Sequence, residues 1–390
     1  MRILELKTEN FRLLQPQPFK LAPGLNLFSG GNAQGKTTVL EAVSYLSSGR
    51  SFRTARDREC IRFKGSGAPP AEDRFAAAEC AFVSHEVQHD VRCAITTSEK
   101  SCWVDGNKLT KLGDLWGTLN TVVFIPSDIE LVRGGPDLRR ALIGELLART
   151  SRYDLQVMQR YALALRERNA LLRDQFSTSS EQFDVFETQM AEYGAKLLVA
   201  RERLIKHFAM LAQEHLHQLT GGKDHFQMIH EPGWPRTANL PKECLSEDNP
   251  MHSELKSRLL NLWEHDRESD AERGFTQNGP HRADIAFSLN DRDARTFCSQ
   301  GQARSIALAL RLAEVEVLTI LSAETPVLLL DDITGDLDQS RIEKFAELLS
   351  KRGMQSLITS TDATTIEKRL PVAAHFRVEN GAVKRIGGFA

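Results

Sequence analysis

This 390-residue sequence has no excess of one charge. Its 50 Lys and Arg stand against 52 Asp and Glu, a formal net charge of −2, which excludes a globally basic nucleic-acid coat. Cysteine is sparse. Cys60, Cys80, Cys93, Cys102, Cys244 and Cys298 form no CxxC pair and no regular zinc spacing. No stretch approaches the roughly 20 consecutive apolar residues that a membrane helix needs. The opening Met1-Arg2-Ile3-Leu4-Glu5-Leu6-Lys7 lacks the apolar run of a signal peptide. These absences predict a reduced, cytoplasmic protein with no membrane contact of its own. Internal repeats and low-complexity tracts are also missing. What is present, 41% apolar and 26% charged residues, is the composition of a soluble globular chain. Its length predicts more than one folding unit.

Residues 25–28 are an apolar run ending in Ser29-Gly30-Gly31, and Val39, Val43 and Leu46 follow at helical spacing, which predicts strand, glycine loop, helix. Over residues 75–109 short alternating runs and an Asp105-Gly106 turn predict an antiparallel meander, preceded by a loop at 65–70. After Pro136, Leu155, Met158, Ala162, Leu165 and Leu172 mark one helix seam. Phe186, Met190, Tyr193, Leu197, Ala200, Leu204 and Leu211 mark another. Together they predict a helical hairpin turning near 177–180. Arms of about 40 residues reach no more than about 60 Å, which is a lobe and not a rod. Residues 231–253 read as an irregular connection. An α/β pattern then returns, with Ile306, Leu310, Ala313, Val317 and Ile320 on one helix face and a buried strand at 327–330. The expected organisation is one α/β ATPase lobe split in sequence, 1–130 and 275–390, around a helical lobe at 131–274.

The chemistry concentrates in three segments. Gly30-Gly31-Asn32-Ala33-Gln34-Gly35-Lys36-Thr37 fits G-x-x-x-x-G-K-[ST] between a strand and a helix. Its backbone N–H groups can wrap phosphates, Lys36 can neutralise β- and γ-phosphate oxygens, and Thr37 can offer its hydroxyl to Mg²⁺. Pro326-Val327-Leu328-Leu329-Leu330-Asp331-Asp332 delivers two carboxylates at a strand's C-terminal end. Asp331 is expected to hold magnesium and Asp332 to orient or deprotonate the attacking water, provided the chain turns there. Ser299-Gln300-Gly301-Gln302-Ala303-Arg304 opens the next helix, where a hydroxyl and free N–H groups favour an anion. The order of loop, signature and acidic strand is that of ABC-type ATPases, in which Ser299 of one protomer would complete the ATP site of another. That layout predicts an ATP-sandwiched homodimer with Lys36, Asp332 and Ser299 as its catalytic groups.

Beyond these segments the chain resembles the RecF family of bacterial recombination and replication-repair ATPases. The resemblance rests on Asn10-Phe11-Arg12, Leu40-Glu41-Ala42, Gly49-Arg50-Ser51-Phe52-Arg53-Thr54 and Phe124-Ile125-Pro126. It continues through Gly134-Gly135-Pro136 with Arg139-Arg140, Arg168-Asn169-Ala170-Leu171-Leu172, Gly279-Pro280-His281-Arg282 and Leu337-Asp338. Leu13, Thr38, Gly144, Ala283 and Gly335-Asp336 depart from the family's usual residues, and the Gly335 change loosens a loop expected at the dimer interface. Thr361 lies near where transporter ATPases place a switch histidine. The resemblance implies an α/β ABC-type head with an antiparallel β subdomain and an inserted helical lobe. It also implies slow DNA-stimulated ATP hydrolysis, an ATP-dependent homodimer on single-strand gaps and duplex junctions, recombinase loading, the SOS response and a RecR-like mediator partner.

Arg50, Arg53, Arg56, Arg58 and Arg62 cluster within a short segment and can meet DNA phosphates, as can Arg133, Arg139 and Arg140 or Arg160, Arg166, Arg168 and Arg173. Each reads equally as a solvated face or an internal ion pair. Arg12 and Arg53 read alternatively as nucleotide contacts, and His281 with Arg282 as either a link to the ATP site or a structural pair. Two other classes share the nucleotide motifs. A transporter's energising subunit has a much shorter interval between the Lys36 and Ser299 equivalents, and an SMC-like chromosome-structural ATPase has far longer arms.

Overall fold

A computed structural model describes residues 1–62, 75–174, 180–234, 250–332 and 353–388. The first strands are β1 (Arg2–Glu9), β2 (Gln17–Lys20), β3 (Leu25–Ser29), β4 (Phe75–Ser84), β5 (Val87–Thr96), β6 (Lys100–Val104), β7 (Asn107–Lys108) and β8 (Thr121–Phe124), with α1 (Lys36–Ser48) after β3. Next come α2 (Glu130–Arg133), α3 (Pro136–Thr150), α4 (Arg152–Arg173), α5 (Ser180–Thr220), β9 (Phe226–Glu231), α6 (Pro250–Arg273), β10 (Asp284–Leu289), β11 (Arg292–Asp293), α7 (Ala294–Phe297) and α8 (Gln300–Ser322). The chain closes with β12 (Val327–Asp331), β13 (Ser356–Ser360), α9 (Ala363–Arg369), β14 (Val372–Glu379) and β15 (Ala382–Gly387). Two compact units result. Unit one comprises Met1–Ile129, Gln218–Gly221 and Arg304–Ala390, and unit two comprises Glu130–His217 and Gly222–Ala303. Apart from Gln218–Gly221, the return to unit one thus falls inside α8, at 303/304, where the sequence pattern suggested 274/275.

Unit one holds two six-stranded sheets. One is an antiparallel sheet of order β2-β1-β4-β5-β6-β7; the other has order β15-β14-β3-β13-β12-β8, parallel except for β15. β3 lies between β13 and β14 and is buried along its whole length, which is why its sequence is a continuous apolar run and not an alternation. α1 packs against strands of both sheets. Its turns are therefore buried nearly all round, from Val39 and Leu40 to Tyr45 and Leu46. The Asp105-Gly106 turn forms as expected, with both residues at positive φ. Cys93 and Cys102 face each other across β5 and β6, their Cα atoms 4.2 Å apart, and are disulfide-bonded. This corrects the expectation that every thiol is reduced, because strand register brings together cysteines that linear spacing does not flag.

Unit two packs helices with the three-stranded sheet β11-β10-β9. The buried face of α4 is Asp154, Val157, Tyr161, Ala164, Arg168 and Leu172, which shares only Leu172 with the expected seam, and Ala162 is exposed. Counting only apolar residues rotates the face, because its centre is charged. Arg168 is fully buried and donates to Glu187 at 3.0 Å, Asp270 at 2.7 Å and Thr276 at 2.8 Å. The segment expected to be irregular contains the end of β9 and the start of α6, whose Trp263 is fully buried. Gly144, a departure from the family pattern, is buried where an added Cβ would stand 3.1 Å from Met158 Cε. In unit one, Ile306, Leu310, Ala313 and Val317 of α8 are buried, but Ile320 is 69% exposed. The expected loop at 65–70, most of the 177–180 turn and residues 335–338 lie outside the described residues.

Candidate nucleotide-binding site

The site in unit one begins where β3 ends. Gly30 has φ +155, and an added Cβ there would stand 2.3 Å from the Val378 carbonyl oxygen, so only glycine permits this approach to β14. Gly35, at φ +105, precedes α1 with no side-chain cap, and the first turn of α1 carries no acidic residue. The leading N–H groups of the helix therefore present a positive end suited to an anion. Lys36 Nζ donates to the carbonyls of Gly30 and Gly31, both at 2.8 Å. Burial holds its pKa down, against the opposing pull of Asp332 and Asp331.

Asp331 closes the site from β12. Its Oδ1 accepts hydrogen bonds from Thr37 Oγ1 and from Thr359 Oγ1, each at 2.7 Å. Thr359, on the neighbouring β13, also accepts from the Asp332 backbone N–H at 3.1 Å. Asp332 adopts φ +45, so the chain turns at this residue and does not continue the strand's alternation. A threonine hydroxyl with adjacent carboxylates is a hard-oxygen donor set, which fits Mg²⁺ sharing its shell with water and phosphate. Sequence reasoning singled out Thr361 in this segment and missed Thr359. The parallel strand next to an acidic strand was the signal available.

A second omission lies at the other end of the chain. Gln34 accepts from Gly381 N through its backbone oxygen at 3.0 Å and from Asn380 N through Oε1 at 2.6 Å. Asn380 and Gly381 form the β14–β15 turn at φ +48 and +77, a conformation that Asn-Gly dipeptides favour. The turn is fastened to the N-terminal segment by Gln15, which donates from its backbone N–H to Gly381 O at 2.9 Å and from Nε2 to Asn380 O at 3.1 Å. The phosphate loop is thereby held from outside.

Arg12 and Arg53 both reach Glu41, a fully buried carboxylate on α1, at 2.7 and 3.5 Å. Arg62 donates to Leu13 O. In unit two, Arg139 makes two 2.9 Å bonds to Asp284 and is buried, as is Arg168. These two are therefore internal ion pairs and not DNA contacts. Arg160 is bound to Tyr193 at 2.7 Å, and Arg133 donates to Cys298 O at 3.1 Å. His281 is a satisfied structural residue, between Tyr161 at 2.9 Å and Thr276 O at 3.0 Å. Ser299 is exposed in unit two, where it and Gln302 exchange reciprocal bonds at 3.2 and 3.0 Å, a capping box at the start of α8. The structure thus gathers Lys36, Thr37, Asp331 and Asp332 in unit one, with Ser299 displayed on unit two.

The family model described as "RecF/RecN/SMC N terminal domain" matches residues 2–384. A DNA replication and repair protein RecF from Citrifermentans bemidjiense is 34% identical over 388 residues, 98% of this chain and all of that protein. The chain belongs to the RecF family. A RecF from Lactobacillus delbrueckii subsp. bulgaricus is 32% identical over 95% of this chain and 93% of its own length. The solved structure of the recombination mediator protein RecF with ATP, in the RecFOR pathway, matches with a TM-score of 0.87 at 29% identity, covering 99% of this chain and 98% of that one. RecF relatives that match from end to end favour this family over the transporter alternative, and the fold is the α/β head expected.

Proposed function

We propose that this chain is a RecF-like ATPase of DNA replication and recombinational repair. The observation that carries the reading is the convergence of Lys36, Thr37, Asp331 and Asp332 from two distant motifs on one helix N-terminus. In this reading the N–H groups of residues 31–37 and Lys36 bind the ATP phosphates, and Thr37 and Asp331 hold Mg²⁺. Bound Mg²⁺ would supply charge neutralisation at the phosphate oxygens. Asp332, turned out of the strand by its positive φ, orients the attacking water. Ser299 of a second copy completes the phosphate site, so ATP closes a homodimer and slow hydrolysis reopens it. The closed dimer binds DNA at gaps and junctions, a RecR-like mediator joins it, and recombinase loading and the SOS response follow. A net charge of −2 suits a protein whose DNA binding is switched on by nucleotide.

Light scattering of the purified protein with ATP and Mg²⁺, with and without gapped duplex DNA at two salt concentrations, tests dimer and ligand together. Expected is an ATP-dependent doubling of mass and a salt-sensitive DNA complex. A protein that stays monomeric, with ATP turnover indifferent to DNA, would remove the reading.

A further inference from the structure

Among the described residues unit two buries three arginines, and two of them have carboxylates: Arg168 has Glu187 and Asp270, and Arg139 has Asp284. The exception is Arg201 on α5, which is 8% exposed. Its one hydrogen bond runs from Nη1 to the carbonyl oxygen of Pro280 at 2.6 Å, and no carboxylate among the described residues pairs with it. Nε and Nη2 make no bond to a described residue. A buried guanidinium without a counter-charge carries a large desolvation cost.

A second guanidinium sits on the same turn. Arg140 Nη1 donates to Ala283 O at 2.6 Å, and Ala283 closes the turn by donating its N–H to Pro280 O at 3.4 Å. The carboxylate paired with Arg140, Asp137, is 89% exposed and therefore well screened. Two arginines thus dock on the two ends of one short 3-10 turn, Pro280–Arg282. Burial and the nearby Arg140 bring the Arg201 pKa down to about 10, although Tyr161 opposes them. The turn is rigid. Gly279 donates to Gly233 O at 3.0 Å, and a Cβ on Gly233 would stand 2.3 Å from Gly279 O. Two guanidinium groups anchored on one turn, close enough for their charges to interact, have the donor chemistry of a phosphate site, since guanidinium geometry matches phosphate.

We infer that Arg201 and Arg140, mounted on the 280–283 turn, form a second anion site of the molecule that accepts a phosphate group. The site lies wholly in unit two and does not depend on the nucleotide reading of unit one. Two sources share this chemistry, a phosphodiester of DNA and free inorganic phosphate.

Full-length wild type, Arg201→Met and Arg140→Gln are compared in two arms. In the first, inorganic phosphate replaces chloride at constant ionic strength and thermal unfolding is followed. Wild type should show a saturable rise in melting temperature that both variants lose. An equal rise in wild type and both variants, or none in wild type, overturns the site. In the second, binding of ATP-loaded protein to duplex DNA is measured by anisotropy from about 50 to 200 mM salt. A slope of log K against log salt that is shallower by roughly one in the variants assigns a DNA phosphodiester. An unchanged slope with the first arm positive assigns free phosphate. ATP affinity at the unit one loop reports folding. Should Arg201→Met fail that control, Arg140→Gln, which alters a partly exposed side chain, carries both readouts.

Discussion

Thr37 Oγ1 and Asp331 Oδ1 are 2.7 Å apart, although 294 residues separate them in sequence. The bond joins the first turn of α1 to the last residue of β12. A glycine-loop motif and an acidic-strand motif are thereby one site, and replacing either partner alters the environment of both.

Lys36→Ala should weaken ATP binding by about 1.5 to 3 kcal/mol, the usual range for a hydrogen bond to a charged group. That is roughly 10- to 150-fold, read by calorimetric titration. Undiminished affinity would remove the phosphate loop assignment.

Asp332→Asn should leave ATP binding intact and accumulate an ATP-bound dimer that wild type forms only transiently. Asparagine tolerates positive φ, so the turn at φ +45 survives the change. Ser299→Arg should bind ATP as a monomer and fail to dimerise. Light scattering of both variants checks the pair, and a normally dimerising Ser299→Arg variant contradicts completion of the site by a second copy.

Gly381→Ala places a Cβ 1.8 Å from Leu13 O at a backbone φ of +77. It should cost roughly 1 to 3 kcal/mol of unfolding free energy, the range for local backbone strain, and lower ATP affinity because the Gln34 contacts shift. Gln34→Ala should lower ATP affinity with a smaller loss of stability. Denaturant unfolding and ATP titration of both variants separate the two effects, and unchanged ATP affinity in both would show that the turn does not position the loop.

His281 gives the protein an acid limit. Burial drives its pKa down to about 4, with Arg282 and Arg140 acting in the same direction and the Thr276 carbonyl opposing. The unfolded chain binds this proton near pH 6.5, before the folded one does. The contribution to stability is therefore complete above about pH 6.5 and is lost as pH falls toward 4, by up to about 3 kcal/mol. Unfolding free energies measured from pH 7.5 to 4.5 should fall more steeply for wild type than for His281→Gln; parallel profiles would exclude this residue as the cause.

The glycine loop, β3, β12 and the meander are legible in sequence because short-range rules govern them. Gly30, Gly35 and the run at 327–330 signal their own backbone states. The support around them is not local. Gln34 rests on Asn380 and Gly381, Asp331 shares Thr359, and Arg168 meets Glu187 and Asp270, all over long sequence separations. Cys93 and Cys102 pair because β5 and β6 are in register, which only the turn between them sets. Arg168 also shows why apolar periodicity mistakes a helix face: a charged side chain satisfied by two carboxylates can occupy the centre of a core.

The fastening of Gln34 to Asn380, 346 residues later, has a consequence for the order in which the protein comes into being. The ribosome makes the glycine loop early, but β13, β14 and the Asn380-Gly381 turn that frame it emerge long after it. At about 5 to 20 residues per second the loop waits roughly 20 to 70 s for its frame. A nascent or truncated chain therefore carries the complete phosphate-binding motif without the walls that shape it. A chain that stops before Gly381 should therefore bind nucleotide poorly, however intact its glycine loop.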